Sequence, residues 1–198
     1  MRGYGVMFSP ILKFEQSLAA YTGAPYAIMT DCCTHAIELC LRYDEVDFCE
    51  FAAKTYLSIP MLMYKLDIDF QMIDEDWIGE YQFHNTRIWD SARRLEAGMY
   101  RAGQMQCLSF GYTKPLEVGR GGAILLDDAA AYHYMIKQRS DGRDLNISPW
   151  KTQKTFPIGY HYRPTIEEAV RALELLPTAG GPSKHVEYPD CRLLQIIS

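Results

Sequence analysis

Apolar positions along this chain recur with two different periods, and the alternation between them lays out a fold. Residues 10–21 set Leu12, Phe14, Leu18 and Ala19 at helical spacing, with Gly23 as the stop that follows. Residues 26–30 form a short apolar run that predicts a buried strand. Helical spacing returns at 34–42, a strand is expected at 48–52 and a helix at 55–64, and further strands fall at 68–73, 86–90, 105–110 and 123–126. Residues 128–139 and 164–176 carry the last helical patterns. Strands alternating with helices imply an α/β architecture, a mostly parallel sheet flanked by helices. The expected large domain is 1–176. The run Pro177-Thr178-Ala179-Gly180-Gly181-Pro182 reads as a linker, and the remainder to Ser198 as a loosely attached carboxyl-terminal tail.

Composition agrees with a compact domain: 198 residues with 48% hydrophobic and 13% aromatic content suffice for a sizeable core. The formal net charge of -5 offers no long-range attraction to nucleic acid or to an anionic membrane, so neither partner is expected. No stretch approaches the ~20 apolar residues that span a bilayer, and the amino terminus lacks a secretory pattern, which makes a cytoplasmic location the expectation. The cysteines Cys32, Cys33, Cys40, Cys49, Cys107 and Cys191 lack the paired C-x-x-C spacing of a structural zinc site. They read as reduced thiols acting as small apolar side chains, and no metal is expected.

The chemistry concentrates in one run. Ser109-Phe110-Gly111-Tyr112-Thr113-Lys114 sets a single lysine in a hydroxyl-rich turn between two apolar strands, and Pro115 through Gly122 lead directly into the second. An amine held in a partly apolar corner can act as a nucleophile toward an aldehyde. Taken alone, a loop lysine is more often a surface charge.

The run resembles the lysine region of the DegT/DnrJ/EryC1/StrS family of pyridoxal-phosphate-dependent sugar aminotransferases, in which a pattern close to S-F-x-x-T-K-x-L-x-x-G-x-G-G-A carries the Schiff-base lysine. Further blocks follow in the family's order. Residues 14–24 resemble its first helix, 30–42 its first strand-to-helix turn, Ile88-Trp89-Asp90-Ser91-Ala92 its strand-end aspartate, and 158–167 its G-Y-N-Y-R-x-T-x-x-E block. The resemblance implies the large domain of a fold-type-I transferase. It also implies pyridoxal 5'-phosphate on Lys114, with Lys114 as nucleophile and general acid/base and Asp90 paired with the pyridine nitrogen. The competing reading of Asp90 is a helix cap. Thr34 and His35 would meet the phosphate at a helix amino terminus, Ser109 would add a hydroxyl, and Tyr56 would lie against the ring, although a tyrosine there is as often ordinary core.

Several features depart from the family pattern. Cys32-Cys33-Thr34 stands where the family has S-G-T, which removes a glycine from the phosphate turn. Arg93 replaces a Gln or His that meets the phenolic oxygen, and His161 replaces the Asn that reaches the phosphate of the partner subunit. The link from Asp74 to Thr86 is too brief for the family's additional strand and helices, and the small carboxyl-terminal domain is largely missing. The implied function is transfer of an amino group, from glutamate, to a nucleotide-linked keto sugar by a homodimer with shared sites. The alternative is a degenerate homologue that binds pyridoxal phosphate or a nucleotide sugar without turnover, or an interaction module.

Overall fold

A computed structural model describes residues 8–181 and 185–196. The chain opens with α1 (Ser9–Thr22), whose buried face is Ile11, Phe14, Glu15, Leu18 and Thr22. Gly23 ends it in the left-handed conformation, φ 78°, as its place in the sequence predicts. Then follow β1 (Tyr26–Thr30), α2 (Cys33–Tyr43), β2 (Phe48–Ala52), α3 (Ser58–Leu66), β3 (Asp69–Ile73), β4 (Tyr81–Gln82), β5 (Ile88–Asp90), β6 (Met105–Ser109), β7 (Gly122–Leu126), α4 (Ala129–Gln138) and α5 (Ile166–Leu175). Asp128 caps α4 by accepting from the Ala131 N–H, and Thr165 with Glu168 forms a capping box at the start of α5. The predicted elements are present with shifted ends. The dipeptide strand β4, inside the brief link from Asp74, carries no periodic signal.

The main sheet has the order β1-β7-β6-β5-β4, and β2 pairs with β3 in a separate two-stranded unit. A single bridge from Glu50 to His84 joins the two. The expectation of a mostly parallel sheet needs correcting at the level of pairing. Among the main-sheet pairs only β5–β6 is parallel, while β1–β7, β6–β7 and β4–β5 are antiparallel. Strands β1, β5 and β6 do run in one direction, but β7 is inserted against them between β1 and β6. The reason is covalent reach. Parallel neighbours need a crossover of a dozen or more residues that packs over the sheet, whereas β6–β7 and β4–β5 are joined by loops that fold straight back.

Both faces of this sheet are covered. Ile28, Cys107, Ile124 and Leu126 face α2 and α4, and Met63 of α3 joins the same core. Their neighbours Ala27, Met29, Leu108, Ala123 and Leu125 face α1 and α5. Alternate residues of one strand thus enter different cores, which is why the strands read as unbroken apolar runs. A buried ion pair, Arg139 with Glu15, ties the end of α4 to α1, and Glu15 also accepts from the Met29 N–H at 2.8 Å.

The segment after α5, read from sequence as a loose tail, is docked where it is described. Cys191 is buried, its N–H donates to the Ala53 carbonyl at 2.9 Å, and Arg192 reaches Asp74 at 2.6 Å. Sequence periodicity cannot register such an attachment, because it rests on single anchors and not on a repeating apolar face.

At one point two backbones all but touch. A Cβ on Gly122 would lie 2.5 Å from Cys33 N and 2.6 Å from Cys32 C. Gly122→Ala is therefore expected to cost about 1–3 kcal/mol through forced backbone displacement, read as a lowered urea midpoint with unchanged slope.

Candidate active site

Four elements converge on one cavity of about 400 Å³, within the range of small-molecule sites. Its walls come from the amino terminus of α2 (Cys32, Cys33, Thr34), the β2–α3 connection (Thr55, Tyr56, Ser58), the end of β5 (Asp90, Ala92, Arg93) and the β6–β7 loop with Ser109 and Lys114. Trp77, Arg120 and Tyr188 complete it.

The lysine is placed by a closed loop. Phe110 N–H donates to Gly121 O at 3.0 Å and Gly119 N–H to Phe110 O at 2.9 Å, so residues 111–119 leave and rejoin the sheet at one point. Buried Leu116 and Val118 hold the loop down, and Phe110 packs edge-on against Phe14 at 5.5 Å. Lys114 is left half-buried at the cavity wall, its Nζ 3.4 Å from the Tyr188 hydroxyl.

Asp90 ends β5 and is 6% exposed. No helix follows it, so the helix-cap alternative is not what forms. Its Oδ1 accepts from the Ala92 N–H at 2.9 Å, and its Oδ2 from the Tyr81 hydroxyl at 3.2 Å, which in turn lies 2.6 Å from Thr55 Oγ1. Burial pushes the Asp90 carboxyl up, and the Ala92 amide, the Lys114 charge and the Tyr81 hydroxyl offset this only in part. The result is a buried acid lacking a full cationic partner, beside an amine in the same cavity.

The phosphate-turn departure has a structural answer. The Cys33 side chain turns into the protein, its thiol 3.6 Å from Cys107 O, and burial lifts it well above the usual thiol range. On the other side of this turn the Gly122 backbone packs directly against the Cys32–Cys33 peptide. Helix α2 begins one residue earlier than expected, with Cys32 as its cap, the sulfur accepting from the His35 N–H at 3.4 Å. Thr34 faces the cavity, and its hydroxyl pairs with Ser58 at 2.8 Å.

Thr34, Tyr56, Asp90, Arg93, Ser109 and Lys114 thus share one cavity, whereas His35 and His161 do not line it. Tyr56 is 63% exposed, which removes the ordinary-core reading. His35 stacks on Tyr162 at 3.7 Å and bonds Asp31 at 2.7 Å. His161, its side chain 80% exposed, pairs with Asp141. Arg93 donates Nη1–H to Thr113 O at 2.6 Å and Nε–H to the Tyr188 hydroxyl at 3.1 Å. Sequence reasoning missed Trp77, Tyr81, Arg120 and Tyr188. Only the aromatic content of the brief link hinted at the first two, and nothing local marked Tyr188.

The arrangement fits pyridoxal phosphate on its own chemistry. It offers an amine for the aldehyde, a buried carboxyl for the ring nitrogen, and a helix amino terminus with the Thr34, Ser58 and Ser109 hydroxyls for the phosphate.

Comparison with known proteins finds one family and one shared fold. The model of the DegT/DnrJ/EryC1/StrS aminotransferase family matches residues 4–56. No curated protein matches the chain in sequence. The 3-amino-5-hydroxybenzoic acid (AHBA) synthase structure superposes with a TM-score of 0.71 at 19% identity, covering 86% of this chain and 56% of its own. PseC of Helicobacter pylori, an aminotransferase involved in the biosynthesis of pseudoaminic acid, gives 0.70 at 15%, covering 85% and 57%. The GDP-4-keto-6-deoxymannose-3-dehydratase ColD, solved with bound GDP-perosamine, gives 0.67 at 15%, covering 87% and 61%. The fold is the one these proteins share, and the chain spans under two thirds of the length of each.

The Asp31–His35 pair carries a pH prediction. Burial alone would lower His35, but hydrogen bonds to Asp31 and Cys32 overcome it and raise it from 6.5 to about 9. A raised histidine stabilises the fold fully below its unfolded value and loses that contribution as pH climbs through the folded one. Arg120 also grips Asp31, at 3.0 Å, and shares the carboxylate. Between pH 6.5 and 9.5 stability is expected to fall by on the order of 1 kcal/mol from this pair. Asp31→Asn should flatten that part of the urea-midpoint profile.

Proposed function

We propose that this chain is a pyridoxal-phosphate-dependent sugar aminotransferase that transfers an amino group, from glutamate, to a nucleotide-linked keto sugar. The observation that carries the reading is Lys114 and the buried Asp90 lining one cavity at the amino terminus of α2. The family match at 4–56 and the shared fold support it. The GDP-perosamine bound to one fold relative supports the nucleotide-sugar class. That same relative is a dehydratase, so the reaction has to be argued from the site and not from the fold.

When bound, pyridoxal phosphate supplies an aldehyde and a ring able to take up the electron pair left as a proton leaves the donor's α-carbon. Lys114 Nζ would be the amine that holds the cofactor through its aldehyde and, when free, the base that would carry a proton between the donor's α-carbon and C4' of the cofactor. Asp90 holds a proton on the ring nitrogen; its burial makes an N–H partner there favourable. Thr34, Ser58 and Ser109 orient the phosphate, and Arg93, in place of a neutral donor, is the group for the phenolic oxygen. Tyr56 covers the ring from the solvent side.

The working unit in this reading is a cytoplasmic homodimer. In the same reading His161, which is exposed and does not line its own chain's cavity, donates to the phosphate of the partner's site. The alternative of a binding homologue without turnover draws on Cys33, Arg93 and His161, the residues that depart from the family pattern.

Incubation with pyridoxal phosphate should give a yellow protein, and borohydride should fix the cofactor to Lys114, with the label found by peptide mass spectrometry. Lys114→Ala should give neither, and an equally reducible adduct in that variant would sink the assignment. Asp90→Asn should retain bound cofactor yet lose about 10²-fold or more in the half-reaction with glutamate, followed by stopped-flow absorbance. Wild-type rates in that variant would reduce Asp90 to a turn residue. For the shared site, mixing inactive Lys114→Ala and His161→Ala chains should restore up to one complete site per heterodimer. No recovery in verified heterodimers would leave His161 a surface histidine.

A further inference from the structure

The segment carrying Tyr188 belongs to no strand of the sheet, yet it is fixed in place. Cys191 is 1% exposed, its N–H bonded to Ala53 O at 2.9 Å and its thiol 3.4 Å from Thr55 O. Asp190 bridges Lys54, and Arg192 spans Asp190 and Asp74. All of these anchors lie two to four residues beyond Tyr188, and their partners adjoin the Thr55–Tyr56 wall of the cavity. The Tyr188 ring stacks on Trp77, with centroids 5.6 Å apart and planes at 21°, and Trp77 is itself tied by Nε1–H to Lys54 O at 2.9 Å. The phenol is thus delivered to the cavity by an anchored strap.

At its tip the Tyr188 oxygen accepts from Arg93 Nε at 3.1 Å and lies 3.4 Å from Lys114 Nζ. Arg93 also holds the Thr113 carbonyl, immediately before the lysine, at 2.6 Å. The contacts therefore close a ring around Lys114. A guanidinium and an ammonium have only donors to offer, so the phenol oxygen meets both with its lone pairs and its own proton points elsewhere. When the lysine is neutral, its lone pair becomes the acceptor that this proton can fill.

We propose that Tyr188 is a positioning residue for Lys114: its hydroxyl holds the amine beside Arg93 and reverses its hydrogen bond, accepting from the charged lysine and donating to the neutral one. The inference rests on the functional reading above for its significance and adds no covalent step. Only the direction of one hydrogen bond changes as Nζ gains or loses a proton. It also gives the segment around Tyr188 a task inside the site.

The test is reductive methylation of the full-length protein with formaldehyde and cyanoborohydride, without added pyridoxal phosphate. Peptide mass spectrometry resolves it by lysine, with Lys13, Lys65 and Lys137 as internal references. Tyr188→Phe preserves the stack on Trp77 and removes only the oxygen. Lys114 should then be methylated about threefold faster, or more, relative to the references, the lower end of what a typical hydrogen bond contributes. Tyr188→Leu, which removes stack and oxygen together, should accelerate Lys114 at least as much. An unchanged rate in the Phe variant overturns the proposal. Acceleration in the Leu variant alone does so too, since it would make Tyr188 a cover and not a hydrogen-bond partner. Because no cofactor enters this measurement, failure of the wild type to bind pyridoxal phosphate would defeat the functional reading while leaving the Tyr188 result separately readable.

Discussion

The site depends on one close approach, the backbone of Gly122 lying against the Cys32–Cys33 peptide with no room for a β-carbon. That contact seats the start of β7 beside the amino terminus of α2. The lysine loop precedes Gly122 and is pinned at its base by Phe110 and Gly119, so the same contact sets how far Lys114 sits from the helix end. Interiors this dense behave as close-packed solids, and a displaced β7 would move the Lys114 loop with it. Any side chain at position 122 would have to push the two backbones apart.

Asp90 is set by a different balance. Taking a carboxyl out of water is unfavourable unless hydrogen bonds or charges answer it. Here an amide, the Tyr81 hydroxyl and the Lys114 charge answer it only in part, and the acid stays raised. A fully satisfied Asp90 would be a structural turn residue. Partial satisfaction next to an amine, in a cavity, makes Asp90 a candidate functional group.

Two short segments complete the cavity. The brief link after Asp74 supplies Trp77, Tyr81 and the β4–β5 hairpin at the edge of the sheet. The carboxyl-terminal strap adds Tyr188 from the opposite direction, anchored by one buried cysteine and a short run of charges. Arg93 links this strap to the lysine loop, holding both the Thr113 carbonyl and the Tyr188 hydroxyl.

The sequence by itself determined the elements, because helical spacing at Phe14 and Leu18, unbroken apolar strands and the Gly23 stop are local consequences of which face must be buried. It also singled out Lys114, Asp90 and Ser109 as candidates, since they stand in runs that resemble the family pattern, and the structure brings all three to one cavity. Tertiary structure alone decided how the strands pair, because the antiparallel insertion of β7 follows from the reach of its loop and not from any periodicity within it. It alone separated Thr34 and Tyr56, which face the cavity, from His35, which turns to Asp31 and Tyr162, and His161, which turns to Asp141. The role of Tyr188 was likewise invisible in the sequence. Its contacts with Arg93 and Lys114 span 95 and 74 residues, and no local pattern records a partner that distant.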